Sequence, residues 1–168
     1  MKVREASIAD AEGIAFVHVN SWKTTYAGIL SESYLAGLSL EDRKKSWIWT
    51  FEHQAEHENI FVAVNKEDKI VGFSCGGQNR NKEYKHDGEL YAIYLLKEYQ
   101  GVGIGRSLFQ SVIVALKSNG CASMMLWVLK DNPSLGFYRS QGGQQVGQKN
   151  IKIGTDELVE VAMGWEWR

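Results

Sequence analysis

Apolar positions recur at helical spacing through the first third of this 168-residue chain. A capping-box-like sequence, Ser7 to Asp10, precedes the first such stretch, and Trp47 and Phe51 lie four residues apart in the last. The pattern predicts one short strand and then three helices: Lys2–Glu5, a helix after Asp10, Ser31–Gly37 and Leu40–His53.

From residue 59 onward, short apolar runs indicate strands, and two stretches of helical periodicity interrupt them. The predicted elements are a hairpin of Asn59–Asn65 with Ile70–Gly77, a polar loop Gln78–Asp87, a central strand Glu89–Leu96, a helix from Gly103 to about Asn119, a strand Ala122–Leu129, a helix opened by Asn132 as N-cap and Pro133, and a closing hairpin of Gln144–Gly147 with Leu158–Trp165. Elements in this order predict a single α/β domain over residues 1–168, with helices packed on a sheet.

Composition and charge exclude several classes of protein. With 19 Lys and Arg against 20 Asp and Glu, the net charge of −1 provides no basic field to hold a nucleic acid. The first ten residues lack an apolar signal core and no apolar run approaches a membrane span, so we expect a cytoplasmic protein without a membrane partner. Cys75 and Cys121 lie in apolar runs without metal-ligand spacing, which predicts reduced core cysteines and no metal site.

A glycine-rich segment between the central strand and the next helix carries the strongest chemical signal. It reads Gln100-Gly101-Val102-Gly103-Ile104-Gly105-Arg106. Glycines let the backbone bend sharply and approach a ligand, and the first N–H groups of the helix stay unpaired. With the helix dipole behind them, these groups favour an anion such as a pyrophosphate, and Arg106 adds a positive charge.

Two other phosphate-binding motifs do not fit this segment. The nucleotide-hydrolase loop needs Gly-Lys-Ser/Thr, whereas Gly105 is followed by Arg106 and Ser107. The dinucleotide fingerprint needs a third glycine, but Arg106 or Leu108 stands at that position. A glycine-rich turn without a ligand is the remaining alternative, and a helix with a strong apolar stripe directly after it argues against that.

The segment 100–105 resembles the acetyl-CoA loop of the GNAT superfamily of N-acetyltransferases, Arg/Gln-x-x-Gly-x-Gly/Ala between a central strand and a helix. The order of predicted elements is also similar to that family's, whose mixed sheet splays apart near the cofactor. The resemblance implies that acetyl-CoA is the co-substrate. It places the pyrophosphate on the loop and the pantetheine arm along the end of the central strand, with one hydrogen bond from an asparagine to that arm. The residues that would bind the cofactor are therefore Gln100, Gly101, Val102, Gly103, Ile104, Gly105, Arg106, Ile93, Leu95 and Asn132.

Two further residues receive catalytic roles from the resemblance. Asn132 and Tyr138 resemble the family's Asn-x-x-x-x-x-Tyr pair, in a segment that continues to Gly142 and has Gly143 where the family pattern ends in Gly-Phe. Tyr138 would then give a proton to the departing thiolate, although it could also be a core tyrosine, as Asn132 could be a helix cap alone. Glu89, at the start of the central strand, would accept a proton from the attacking amine; a solvated glutamate is the alternative, and His86 and Asp87 are weaker candidates.

The implied reaction is direct attack of a primary amine on acetyl-CoA, because no Ser-His or Cys-His pairing for an acyl-enzyme is evident. Aromatic faces near the acceptor channel, from Trp22, Tyr26 and Tyr91, would suit a small cationic amine, although these residues could instead pack the core. A longer acyl-CoA, a peptide or protein N-terminus as acceptor, and a catalytically silent CoA-binding module remain alternatives. The oligomeric state stays open, with a homodimer among the options.

Overall fold

In the computed structural model, which describes residues 1–167, the chain folds into a seven-stranded sheet with helices on both faces. The strands are β1 (Lys2–Glu5), β2 (Asn59–Val64), β3 (Ile70–Gln78), β4 (Gly88–Leu95), β5 (Ser123–Leu129), β6 (Gln144–Ile153) and β7 (Asp156–Glu166). The α-helices are α1 (Ala11–Thr25), α2 (Glu32–Ala36), α3 (Leu40–Glu52), α4 (Ile104–Ser118) and α5 (Leu135–Ser140).

The sheet opens between its two parallel strands. The strand order is β1-β2-β3-β4-β5-β7-β6, and every neighbouring pair except β4 and β5 is antiparallel. Strands β4 and β5 pair only through Gly88 with Met124 and Glu89 with Met125, although both strands continue for several residues. The predicted mixed, splayed sheet is therefore confirmed, and a wedge-shaped gap separates the carboxyl ends of β4 and β5.

Alternating residues of the strands fill two core layers. Helices α1 and α3 pack on one face of β2–β4, around Phe73 and Trp47. Helix α4 packs on the other face, where Leu108 and Phe109 are fully buried against the sheet. Strand alternation places successive side chains on opposite faces, so each strand of the central sheet contributes to both layers.

The closing hairpin is the element that the sequence pattern predicted least well. Strands β6 and β7 run over Gln144–Ile153 and Asp156–Glu166, much longer than the predicted Gln144–Gly147 and Leu158–Trp165. Most of β6 is exposed because it is the edge strand of the sheet, so its polar sequence lacks the apolar alternation of a half-buried strand.

Helix α5 begins two residues later than predicted. The Asn132 side-chain oxygen accepts the Ser134 N–H (2.8 Å), and the first residue in helical conformation is Leu135. Asn132 thus forms a turn that leads into the helix rather than its N-cap, because an asparagine oxygen readily bonds the backbone two residues ahead. Of the two cysteines, Cys75 is buried as predicted and Cys121 is half-buried, and both are free thiols.

Candidate active site

A cleft of about 780 Å³ occupies the gap between β4 and β5. It reaches from the glycine-rich segment at the amino end of α4 to the side chains that β4, β5 and β7 present on the α1 face of the sheet. Except for Val102 and Ile104, every site residue predicted from the sequence lines this cleft: Trp22, Tyr26, Glu89, Tyr91, Ile93, Leu95, Gln100, Gly101, Gly103, Gly105, Arg106, Asn132 and Tyr138.

The cofactor end, defined here as the loop 100–106 with the end of β4, is built mainly from backbone. Gly101 and Gly103 have φ of 79° and 92°, in the left-handed region where other residues are strained. A Cβ added at Gly101, Gly103 or Gly105 would meet nothing within 4 Å, so the space above the loop is open to a ligand. Within residues 1–167, the N–H groups of 101–106 donate to no acceptor, which leaves a row of donors at the start of α4.

Val102 and Ile104 differ from the rest of the loop because their side chains point away from the cleft. Val102 is 71% exposed, and Ile104 is buried against Leu108 and Leu95. Their contribution to an anion site is therefore limited to their backbone N–H groups. The Gln100 side chain donates to the Leu95 carbonyl (3.1 Å), which fixes the loop to the end of β4.

The last residues of β4 present free backbone edges to the gap. The Leu96 N–H donates to Val71 on β3 (2.9 Å), and successive residues of a strand direct their backbone groups to opposite sides. The backbone groups of Ile93 and Leu95 therefore point away from β3, toward the gap where β5 no longer pairs. This edge could hold an extended ligand by strand-like hydrogen bonds.

The Tyr138 side chain projects from α5 into the cleft beside that edge. Burial raises the pKa of Tyr138, so its hydroxyl keeps its proton across the ordinary pH range. Within residues 1–167, this hydroxyl forms no hydrogen bond, in contrast to Tyr26, and it is free to donate to a ligand.

Tyr26 joins the two ends of the cleft. Its hydroxyl accepts a hydrogen bond from the Asn132 side-chain amide (3.2 Å) and shares a second one with the Tyr94 hydroxyl (3.1 Å). Burial is the main cause of the raised pKa of Tyr26, and the charge of Glu160 adds to it. The Asn132 amide is thus engaged with the protein on both sides, through Tyr26 and through Ser134.

Glu89 lies in the cleft but is tied to Arg80, a residue that the sequence analysis missed. The carboxylate is almost fully buried and accepts three bonds, from the Arg80 backbone N–H (3.0 Å), Nε (3.1 Å) and Nη2 (3.0 Å). A carboxylate offers about four acceptor positions, so about one remains for a water or a substrate. The Arg80 guanidinium also covers the Tyr91 ring at 3.8 Å. The signal that could have found Arg80 is the hairpin between β3 and β4, because a hairpin brings residues on either side of its loop together.

The two weaker base candidates have structural roles instead. The Asp87 carboxylate accepts the Ala122 N–H (2.8 Å), and the Asp87 N–H donates to the Ser123 hydroxyl (2.9 Å). His86 is buried beside Gly164, and burial lowers its pKa. Asp87 thus holds the start of β4 against β5, and His86 packs against β7.

We call the part of the cleft bounded by Tyr26, Tyr91, Trp127 and Glu160 the acceptor end. Three more residues that the sequence analysis missed lie there, on the wall formed by β5 and β7. Trp127 and Glu160 line the cleft, and Lys149 reaches them from β6. Burial raises the pKa of Glu160, and Lys149 acts in the opposite direction. Nothing in the local sequence of these strands marks the three residues, because β-pairing alone brings them together.

Residues 1–167 contain neither a membrane-spanning helix nor a cluster of metal ligands. No helix there is both long and apolar enough to cross a membrane. No three His, Cys, Asp or Glu side chains in the described chain cluster in a way that could hold a metal ion.

Comparison with known proteins assigns the chain to a family. The model of the acetyltransferase (GNAT) family matches residues 22–142. The uncharacterized N-acetyltransferase YuaI of Bacillus subtilis is 38% identical over 97% of this chain and 91% of its own. Spermidine N(1)-acetyltransferase of Thermoplasma acidophilum is 30% identical over 82% of this chain and 83% of its own.

A solved structure agrees with the fold. The crystal structure of the PaiA N-acetyltransferase from Thermoplasma acidophilum, a complex with coenzyme A, superposes with a TM-score of 0.76 and 24% identity. The match covers 99% of this chain and 98% of the other. At that identity the likeness establishes the fold alone.

Proposed function

The chain belongs to the GNAT family of acetyltransferases, and we propose that it moves the acetyl group of acetyl-CoA onto a primary amine of a small molecule by direct attack. The observation that carries this proposal is the cleft through the sheet. It connects a row of unpaired backbone donors at one end with the buried carboxylate of Glu89 and the half-buried one of Glu160 at the other, and Tyr138 lies between them.

The residues of the cofactor end fit coenzyme A. Unpaired N–H groups of residues 101–106, the amino end of α4 and Arg106 would hold the pyrophosphate. The free backbone groups of Ile93 and the free N–H of Leu95 would pair with the amides of the pantetheine arm, and Gln100, bonded to the Leu95 carbonyl, holds the loop in place. When bound, the co-substrate supplies the activated acetyl group, and the protein supplies its position.

Two proton-handling groups support the chemistry. The protonated, unbonded hydroxyl of Tyr138 would donate to the departing sulfur as its bond to the acetyl carbon breaks. The attacking nitrogen must lose a proton, because an alkyl amine with a pKa of about 10.4 is mostly charged near neutral pH. Glu89 would take that proton, through a water at its remaining acceptor position.

Direct attack is supported by the state of the cysteines. Burial raises the pKa of Cys75 to about 12, and it also raises that of Cys121. Thiolates are the nucleophilic form of cysteine, so neither residue is activated for an acyl-enzyme.

The cleft also favours a small acceptor. Its acceptor end is bounded by Tyr26, Tyr91, Trp127 and Glu160, which give it three aromatic faces and a carboxylate. One relative is named as an acetyltransferase of spermidine. Others are named as acetyltransferases of L-methionine sulfoximine and L-methionine sulfone. These are all small amines.

The test is release of free thiol from acetyl-CoA with a panel of monoamines, diamines, amino acids and short peptides. We expect turnover with at least one small amine and none with peptides. Turnover restricted to peptides or folded proteins would overturn the small-amine proposal. Tight binding of coenzyme A without turnover of any acceptor would show a silent CoA-binding module instead.

A further inference from the structure

An ammonium group already occupies the acceptor end of the cleft. The Lys149 Nζ lies 4.1 Å from the centre of the Trp127 ring and 3.8 Å from a carboxylate oxygen of Glu160. Trp127 and Glu160 line the cleft, whereas Lys149 reaches over from the edge strand β6. An aromatic face beside a carboxylate is the usual environment for an organic cation.

The Trp127 ring and the Glu160 backbone are held in place without Lys149. The Trp127 indole N–H donates to the Asn81 side chain (3.0 Å), and the Tyr84 ring packs against it edge-on, with centroids 5.6 Å apart. Glu160 lies opposite Leu129 in the β5–β7 register, which fixes its backbone. The aromatic face would therefore remain if the lysine moved, with Glu160 still next to it on β7.

Lys149 is held more loosely than its partners. Its side chain is 45% exposed against 21% for Glu160, and the 3.8 Å separation is too long for a hydrogen bond. A lysine on an exposed edge strand can rotate into solvent and regain full hydration. Glu160 cannot follow it, and burial makes a replacement cation favourable there.

The group bound at this position must be charged, which separates it from the reacting nitrogen. Trp127 and Glu160 stabilise an ammonium, but an amine attacks only in its neutral form. Glu89 lies on β4, and Glu160 lies on the opposite wall formed by β5 and β7. An acceptor that uses both walls needs two nitrogens.

We propose that Trp127 and Glu160 form a subsite for a second, non-reacting ammonium group of the acceptor, that Lys149 fills this subsite in the free protein, and that diamines or polyamines are the preferred acceptors. This inference rests on the proposed acetyl transfer to small amines. Lys149 then competes with the second ammonium group of the acceptor for this subsite. An acceptor whose one nitrogen is used for the attack has no second ammonium group to displace the lysine.

The test compares kcat/KM for 1,4-diaminobutane and 1-aminobutane in the full chain with saturating acetyl-CoA. Glu160→Gln should lower the diamine-to-monoamine ratio about 10-fold, because it removes the charge that holds the second ammonium. Lys149→Met should raise the same ratio about 3-fold, because it removes the competing ammonium and leaves Glu160 without a partner. General damage to the fold would not produce shifts of opposite sign.

A matched pair of control residues lies on the same two strands. Lys152 and Glu157 face each other in the β6–β7 register, and strand alternation puts them on the opposite face from Lys149 and Glu160. Lys152→Met and Glu157→Gln should leave the ratio unchanged. If Glu160→Gln fails to fold, Lys149→Met at its exposed position still decides the question.

Unchanged ratios in both test variants, or changes of the same sign, would overturn the subsite. If no amine is acetylated at all, the proposed function fails, and calorimetry with 1,4-diaminobutane tests the subsite separately. Binding that weakens in Glu160→Gln and strengthens in Lys149→Met would support the subsite, and no detectable binding would overturn it.

Discussion

The two ends of the cleft are built from different parts of the chain. The cofactor end uses backbone groups of one continuous segment, 100–106, and the adjacent end of β4. The acceptor end uses side chains from α1, the loop after β3, β4, β5 and the β6–β7 hairpin. Residues that meet there are far apart in sequence, as Arg80, Trp127 and Glu160 show.

This difference separates binding of the cofactor, which is the same for every acceptor, from recognition of a particular acceptor. A site made of backbone donors and glycines recognises any ligand that offers a phosphate and an amide arm, and it tolerates changes elsewhere in the chain. A site made of side chains from many elements changes its ligand when one side chain changes. We therefore expect substitutions at the cofactor end and at Tyr138 to affect every acceptor, and substitutions at the acceptor end to affect acceptors unequally.

The largest effect should come from Tyr138→Phe, at the junction of the two ends. We expect kcat to fall about 100-fold or more with every acceptor, because the proton donor to the sulfur is lost. Affinity for coenzyme A should stay within about 2-fold, since the phenyl ring preserves the packing. Steady-state kinetics under conditions where chemistry limits the rate, together with calorimetry, measure both. Tyr34→Phe, a substitution on α2 outside the cleft, is the matched control. Unchanged kcat would remove Tyr138 from the mechanism.

The second largest effect tests whether backbone N–H groups of the cofactor end bind coenzyme A. Gly103→Ala should weaken coenzyme A binding about 30-fold by calorimetry, because it distorts the donor row. Gly120, at the other end of α4, has a similar φ of +88° against +92°, and a Cβ at either position meets nothing within 4 Å. Both alanine variants should lose about 1 kcal/mol of stability from left-handed strain. Equal weakening of coenzyme A binding by the two variants would show that strain alone, and not the loop, is responsible.

A smaller effect is expected at Glu89, at the acceptor end. Glu89→Gln should lower kcat/KM about 10-fold at pH 6, less than a fully free base would, because Arg80 takes most of its acceptor positions. The deficit should vanish as pH approaches about 10, where the amine is neutral without help. A pH profile of kcat/KM for both forms measures this. A constant deficit at every pH would identify Glu89 as a partner of Arg80 and not as a base.

The smallest effect should be on stability, at the connection between the ends. Tyr26→Phe should lower the free energy of unfolding by about 2 kcal/mol, because it leaves both the Asn132 amide and the Tyr94 hydroxyl without their partner. Tyr94→Phe removes only one of these bonds and should lower it by about 1 kcal/mol. Denaturant unfolding compares the two variants. Equal losses would contradict the role of Tyr26 as the shared partner.

The order of elements and the cofactor end were predictable from sequence. Apolar periodicity identifies α1, α3, α4 and the buried strands, because each buries one face. The glycine segment carries its own geometry, since positive φ and unpaired helix donors are local properties. Edge strand β6 escaped prediction beyond Gly147, because a strand exposed on its faces shows no apolar alternation.

Sequence by itself thus determined the family, the order of elements and the glycine-rich loop of this protein, because contiguous residues encode them, and the family resemblance added the splayed sheet. Tertiary structure decided the rest: that Arg80 occupies most of the Glu89 carboxylate, that Asn132 bonds Tyr26, and that Lys149 lies over Trp127 beside Glu160. Each of these contacts joins residues from different elements. Strand register and helix packing set such distances, and no local pattern in the chain records them.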